Sequence, residues 1–382
     1  LALSGQLGKD ALSGEEVQQA MDLCVGCKGC KRDCPTGVDM ARMKIETTHQ
    51  YKSKHGFTLK DRLISHLPRY AHLAAPFSGL LNLRNSMLWL AQVAEKFTGL
   101  SAKRSWPTWH SDHFFNAETQ GVTREHVLQA AKPVVMFVDT FNGYLESANA
   151  HAAVKVLQAA GYTVHVATKL QDDGGHLCCG RTYLATGMLA QARAKSGELM
   201  AALWPFAEKG IPIVGLEPSC LLTMRDEFLV MNLGPQAQAI SEQAMLFEEF
   251  LAREAAAGQL ETLKPRLQAT DQAILLHGHC HQKAFGAISP VMDVLKLIPG
   301  AKPELIESSC CGMAGSFGYE ASHYEVSMQM AELSLLPAVR AQPDAMVVAD
   351  GTSCRHQIHD GAQREAVHVA VLLARQLGAA QP

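Results

Sequence analysis

The chain is 382 residues long, 47% apolar and 19% charged, which suits two or three packed domains and excludes a disordered protein. Its 34 basic and 37 acidic residues give a formal charge of −3, so no basic field recommends nucleic acid as a partner. The run Tyr70 to Leu83 contains Pro76 and Gly79 and falls short of the roughly 20 residues that cross a bilayer; Leu1 to Asp22 shows no basic stretch followed by an apolar core, so a cytoplasmic chain is expected. The first residue is not Met, which suggests an excerpt or a processed chain.

Taken in order, Ser13-Gly-Glu-Glu16 fits a capping box and predicts a short helix running to Leu23. Cys24, Cys27, Cys30 and Cys34 follow, closed by Pro35 and Gly37. Met40, Met43, Ile45 and Tyr51 predict a second helix from Asp39 to about Lys54, stopped by Gly56. Residues 58 to 100 read as apolar-rich helices broken by Pro68 and Pro76, and the stripe Leu80, Leu81, Leu83, Met87, Leu88, Leu90 is most economically a core face. Trp106-Pro107-Thr108-Trp109 reads as a connector.

After Lys132 the texture becomes short β-branched runs alternating with Ala-rich helical stretches, the pattern of parallel sheets with crossover helices. Strands are expected at Pro133–Val138, Thr163–Ala167, Ile211–Leu216, Ala273–His277 and Val347–Asp350, and helices at Ala148–Ala160 and Met188–Glu208. A repeat appears here. Cys178-Cys179-Gly180 recurs as Cys310-Cys311-Gly312, and 40 and 42 residues later come Cys220 and Cys354. The expected organisation is a helical domain at 1–120 with ferredoxin-like cysteines, an α/β module at 121–260 and a second at 261–382.

The eleven cysteines are clustered in a large chain, which points to metal or redox chemistry rather than a disulfide framework. The spacing Cys24-x2-Cys27-x2-Cys30-x3-Cys34-Pro35 is that of a [4Fe–4S] loop, in which a tight turn brings thiolates to the corners of a cube while Gly26 and Gly29 leave amides free to reach sulfur. In two-cluster ferredoxins the fourth cysteine of such a run serves the other cluster. Either Cys34 closes a single cluster, or its partner run lies upstream. In the second module Cys280, Cys310, Cys311 and Cys354 all follow expected strands, and loops after parallel strands converge at one sheet edge. Four such thiolates can hold an iron–sulfur cluster or zinc, or work as a dithiol/disulfide pair. Cys178, Cys179 and Cys220 form a weaker set.

With these motifs the chain resembles the cysteine-rich Cys-Cys-Gly domain family of heterodisulfide reductase, the glycolate oxidase iron–sulfur subunit and the third subunit of anaerobic glycerol-3-phosphate dehydrogenase. The order of run and two modules is similar to the C-terminal part of FAD-linked D-lactate and D-2-hydroxyglutarate dehydrogenases. That resemblance implies electron transfer from FAD on a partner or upstream segment to a quinone or another acceptor, with peripheral membrane contact as an option. Thiol–disulfide reduction at Cys310/Cys311 and a zinc-stabilised interaction scaffold are the competing readings. The family pattern is a lone Cys, the Cys-Cys pair, then Cys-x-x-Cys; here Gly351 replaces the first member of the last pair, and in the first module Glu217 does so, with no Cys near Phe141/Asn142.

Gly175 to Thr182 has P-loop spacing but Arg181 at the Lys position, which argues against a nucleotide site, and no Gly-x-Gly-x-x-Gly joins a strand to a helix. His277, His279 and His281 flank Cys280. On one continuous strand they would face away from it, so they are expected to be ordinary hydrogen-bonded residues, with His281 the first choice for a supporting donor near the cysteines.

Overall fold

The computed structural model describes residue 2 and residues 4–116, 122–170 and 176–378. The expected boundary at 120/121 and Gly175 of the P-loop-like segment lie outside the described residues.

Eight strands form two four-stranded, all-parallel sheets. β1 (Pro133–Phe137), β2 (Thr163–Val166), β3 (Ile213–Gly215) and β4 (Ala244–Leu246) are ordered β2-β1-β3-β4. β5 (Ile274–Leu276), β6 (Pro303–Leu305), β7 (Met346–Val348) and β8 (Ala366–Val367) repeat that order as β6-β5-β7-β8. Val135 pairs with His165 and Ile213, and Leu276 pairs with Leu305 and Val348, so β1 and β5 are the equivalent central strands. Parallel neighbours require crossovers, and helices Ser147–Ala159 and Leu189–Ala207 supply them in the first sheet.

The modules share one core. Helix Ser147–Ala159 packs on Val369–Gln376, and helix Phe247–Ala256 packs on Ile288–Leu295. Each pair joins the helix after a central strand of one module to the last helix of the other, the contact a pseudo-two-fold would generate. Val156, Leu157, Phe250, Leu251, Val291, Val294, Leu372 and Leu373 are buried in this single cluster. Burial at roughly 25 cal/mol per Å² of apolar surface makes such a junction hard to separate.

The N-terminal helices drape over both modules. Met40–His55 starts where expected, with Asp39 Oδ1 accepting from Arg42 N at 3.0 Å, and Gly56 ends it with φ +90°. The expected capping box at Ser13 does not form: the helix is Glu15–Asp22, its cap is Gly14, and the Ser13 hydroxyl donates to Asp10 O at 3.0 Å, closing the preceding 3-10 turn. The stripe at 80–90 is also different from expectation. Leu80 and Leu88 are 68% and 66% exposed, and Phe77, Trp89 and Phe97 are exposed beside them. The inward positions are taken by Ala71, Ala75, Ala91 and Arg84, whose guanidinium donates to the carbonyls of Ser101 and Arg104. No described helix is long and apolar enough to cross a membrane.

Candidate metal centres

The N-terminal cysteine loop is built on two left-handed residues, Gly26 (φ +62°) and Lys28 (φ +60°), which turn the chain sharply into helix Gly29–Asp33. Burial raises the Cys27 thiol; the Gly29 amide opposes this, and the neighbouring sulfurs of Cys280, Cys24 and Cys30 push it further up. Met40 N donates to Cys30 Sγ at 3.4 Å. Amides directed at sulfur are what a thiolate-held cluster requires. Cys34, at the end of the short helix, is differently placed: its sulfur lies 3.1 Å from Thr36 Oγ1, and that contact with the amides of its own turn lowers its pKa.

The loop is clamped between the modules. Lys28, 2% exposed, pairs with Asp226 at 2.5 Å and Glu227 at 2.8 Å on the first-module side, and Arg181, the residue in the P-loop Lys position, pairs with the same Glu227 at 2.8 Å. On the second-module side, His281 Nε2 lies 3.0 Å from Gly26 O. Burial pushes the His281 pKa well down, so the ring is neutral, and a carbonyl can only accept; Nε2 therefore carries the proton. His281 is a supporting donor as expected, but to the backbone of the N-terminal loop.

The second site forms at the ends of β5 and β7. β5 stops at Leu276, so His277 to Cys280 are not one strand: His279 caps helix Cys280–Ala284, and Cys280 is its first residue. Cys354 lies in the first turn of helix Thr352–Ala362, capped by Gly351. A Cβ on Gly351 would meet His279 Cδ2 at 2.4 Å, so the missing cysteine of the last pair would have no room. The ligand atoms of His277, Cys311 and Cys354 lie within 4.8 Å of one another, all three buried. Cys310 lies between Cys280 and Cys311: hydrogen bonding with Cys310 lowers Cys280 to about 6, despite burial, and hydrogen bonding with Cys310 and Cys354 lowers Cys311 well below the usual thiol value. Bonding to Cys280 and burial keep Cys310 protonated, as bonding to Cys311 and burial do for Cys354. The four cysteines expected to meet are brought together, with an imidazole. Soft sulfur plus nitrogen suits zinc or the iron of a cluster.

The first site has the same frame and different donors. Asp139 caps helix Thr140–Tyr144 as His279 caps its counterpart, so Thr140, not Phe141 or Asn142, stands where Cys280 stands. Glu217 caps helix Pro218–Met224 as Gly351 does, putting Cys220 opposite Cys354. Both carboxylates are committed: Asp139 accepts from Phe141 N, Asn142 N and Asn142 Nδ2, and Glu217 accepts from Ser219 Oγ at 2.8 Å and, across the module junction, from Thr352 N at 2.9 Å. Burial and the charge of Glu217 raise Asp139 to about 6. Cys178 is raised well above the usual value by its bond to Cys179 and by burial, and Cys220 reaches about 12 because burial with the Asp139 and Glu217 charges outweighs its bond to Cys179. The first site thus offers three thiols beside two committed carboxylates, where the second offers four thiols and an imidazole.

Residues 274–359, which hold the whole second site, match the model of the cysteine-rich domain family CCG. The chain carries a CCG cysteine-rich domain. It is 25% identical over 354 residues to D-2-hydroxyglutarate dehydrogenase of Escherichia coli, covering 90% of this chain and 33% of that protein. A subunit of anaerobic glycerol-3-phosphate dehydrogenase from the same organism is 25% identical over 341 residues, covering 89% of this chain and 81% of its own length. The probable glycolate oxidase iron–sulfur subunit of Bacillus subtilis is 24% identical, with 95% and 84% covered. The chain thus spans a third of the length of the hydroxyglutarate dehydrogenase it matches, and most of the two subunits. These are the relatives implied by the cysteine pattern.

Proposed function

We propose that this CCG chain is the electron-accepting part of a flavin-dependent dehydrogenase. FAD on another segment or subunit oxidises a 2-hydroxyacid such as D-lactate, glycolate or D-2-hydroxyglutarate, and the chain passes the electrons to a quinone or other acceptor. Cys24, Cys27 and Cys30, with Cys34 as the fourth thiolate of the run, would hold a [4Fe–4S] cluster. Cys280, Cys310, Cys311 and Cys354 would hold the second centre, an iron–sulfur cluster or zinc, and the first module acts as a scaffold. Such clusters normally take and release one electron at a time, the capacity that a two-electron flavin needs in its partner.

The observation that carries this reading is that the Cys24–Cys30 loop meets the head of the Cys280 helix, where His281 Nε2 donates to Gly26 O at 3.0 Å. Cys27 and Cys280 are half-buried there, between the buried Lys28 and His281, and the His281–Gly26 hydrogen bond joins the two loops directly. Adjacent loops carrying the two cysteine sets support the reading that electrons pass from one to the other. Iron, acid-labile sulfide and low-temperature spin signals of the anaerobically purified chain test it. Cys27→Ser should abolish the broad visible absorption of the cubane, Cys311→Ala should remove the second centre, and Cys179→Ala should leave both. An unchanged spectrum in Cys27→Ser, or equal losses in Cys311→Ala and Cys179→Ala, would sink the assignment.

A further inference from the structure

His277 is fully buried, its Nε2 has no oxygen or nitrogen partner, and its ring lies against the Cys311 sulfur. A buried polar nitrogen left without such a partner is costly, so it needs a reason. The same ring's Nδ1 lies 2.9 Å from Ser308 Oγ. The Ser308 hydroxyl has one proton, which it donates to Ile306 O at 3.4 Å, while Lys283 Nζ donates to its oxygen at 3.2 Å. With the Ser308 hydroxyl donating to Ile306 O, its oxygen accepts from His277 Nδ1–H, and this tautomer turns the Nε2 lone pair towards the sulfurs. A ligating histidine characteristically has its other N–H fixed in this way. A ring nitrogen of His277 is within 4.8 Å of Cys311 Sγ and Cys354 Sγ.

We infer that His277 Nε2 is a ligand of the second-module metal, beside Cys311 and Cys354, making that centre a mixed nitrogen–sulfur site. The inference rests on the reading above that this module binds metal, and adds one ligand to it. The imidazole makes up for Gly351, where the room for a further cysteine is filled by His279. The first module gives an internal comparison. Two residues before the helix cap, where the second module has His277 before His279, the first has the buried Phe137 before Asp139. The module that lost the nitrogen is also the one with Thr140 in place of Cys280.

The test uses the full chain, purified anaerobically with ordinary histidine and with histidine labelled with heavy nitrogen. An iron centre is read by pulsed electron paramagnetic resonance after reduction, and a zinc centre by X-ray absorption at the zinc edge. Wild type should show a nitrogen ligand, seen for iron as a coupling that changes on labelling. His277→Cys should keep the metal and lose the nitrogen signature, and His277→Ala should fall to the metal content of Cys311→Ala while keeping the N-terminal cluster signal. Full metal content in His277→Ala, or a metal-loaded wild type without a nitrogen ligand, would overturn the inference; the second result does so even where a variant fails to fold. A Cys311→Ala chain with all of the wild-type metal would instead remove the reading beneath it, and the inference with it.

Discussion

At the scale of single residues, Glu146 shows how the modules are fastened beside the second centre. Its carboxylate accepts from Arg355 Nε at 2.8 Å and from Thr352 Oγ1 at 2.6 Å. Burial alone would raise its pKa, but the Arg355 charge and hydrogen bonds outweigh that and lower it from 4.5 to about 2. A folded pKa below the unfolded one contributes stability above the unfolded value, and that contribution fades as pH falls towards the folded one. At 1.36 kcal/mol per unit, Glu146→Gln should cost about 3 kcal/mol at pH 7. The gap between wild type and variant in urea unfolding should narrow below about pH 5. A gap independent of pH down to 3 would show that the ion pair is not its source. Glu146 was not legible in the sequence, because its partner is 209 residues away. The cysteines were legible because their spacing is itself the signal. His277 was missed for a geometric reason: the alternation of a continuous strand puts it opposite Cys280, and only the end of β5 at Leu276 breaks that phase.

At the scale of elements, the cluster loop depends on Lys28. A lysine in a left-handed conformation is strained where glycine would not be, and burying its ammonium is costly unless it is paired. Asp226, Glu227 and Asp39 supply that pairing at 2.5, 2.8 and 3.6 Å. Removing one partner of a buried pair typically costs 3–5 kcal/mol. Asp226 retains Lys31 and Arg42, and Glu227 retains Arg181, so Lys28→Met should fall at the low end, about 3 kcal/mol. The variant's brown colour should bleach faster in air, since the loop is then held mainly from the His281 side. Bleaching at the wild-type rate would show that the clamp does not protect the cluster. Apolar spacing and the Asp39 cap make the helix Met40–His55 legible, but nothing in the sequence pairs Lys28 with residues nearly 200 positions on. The capping box at Ser13 shows the converse: a correct local pattern yielded to a 3-10 turn that uses the same hydroxyl.

At the scale of the molecule, the repeat of Cys-Cys-Gly and the later cysteine foretold two like modules, and the sheet orders β2-β1-β3-β4 and β6-β5-β7-β8 bear that out. Their common core could not be foreseen, because helix amphipathicity shows that a face is buried without saying against what. The exposed face with Leu80, Leu88 and Trp89 escaped for the same reason. Arg104 completes the assembly, donating to Gly318 O at 2.8 Å and Ser327 Oγ at 2.9 Å, so the N-terminal helices are tied to the second module as firmly as Lys28 ties them to the first. Two cysteine sets in one frame suit the electron transfer proposed above. Oxidising a hydroxyacid to the oxoacid removes two electrons and two protons, as a hydride from carbon and a proton from oxygen, and in the proposed division of labour FAD takes the hydride. The isolated chain, given D-lactate, glycolate or D-2-hydroxyglutarate and a dye acceptor, should therefore show no turnover. Adding the FAD-containing segment should restore it, with substrate then reducing the clusters, read as bleaching of the visible band and the appearance of a spin signal. Steady turnover by the 382-residue chain, with no flavin released on denaturation, would contradict this division of labour and place a hydroxyacid site inside these modules.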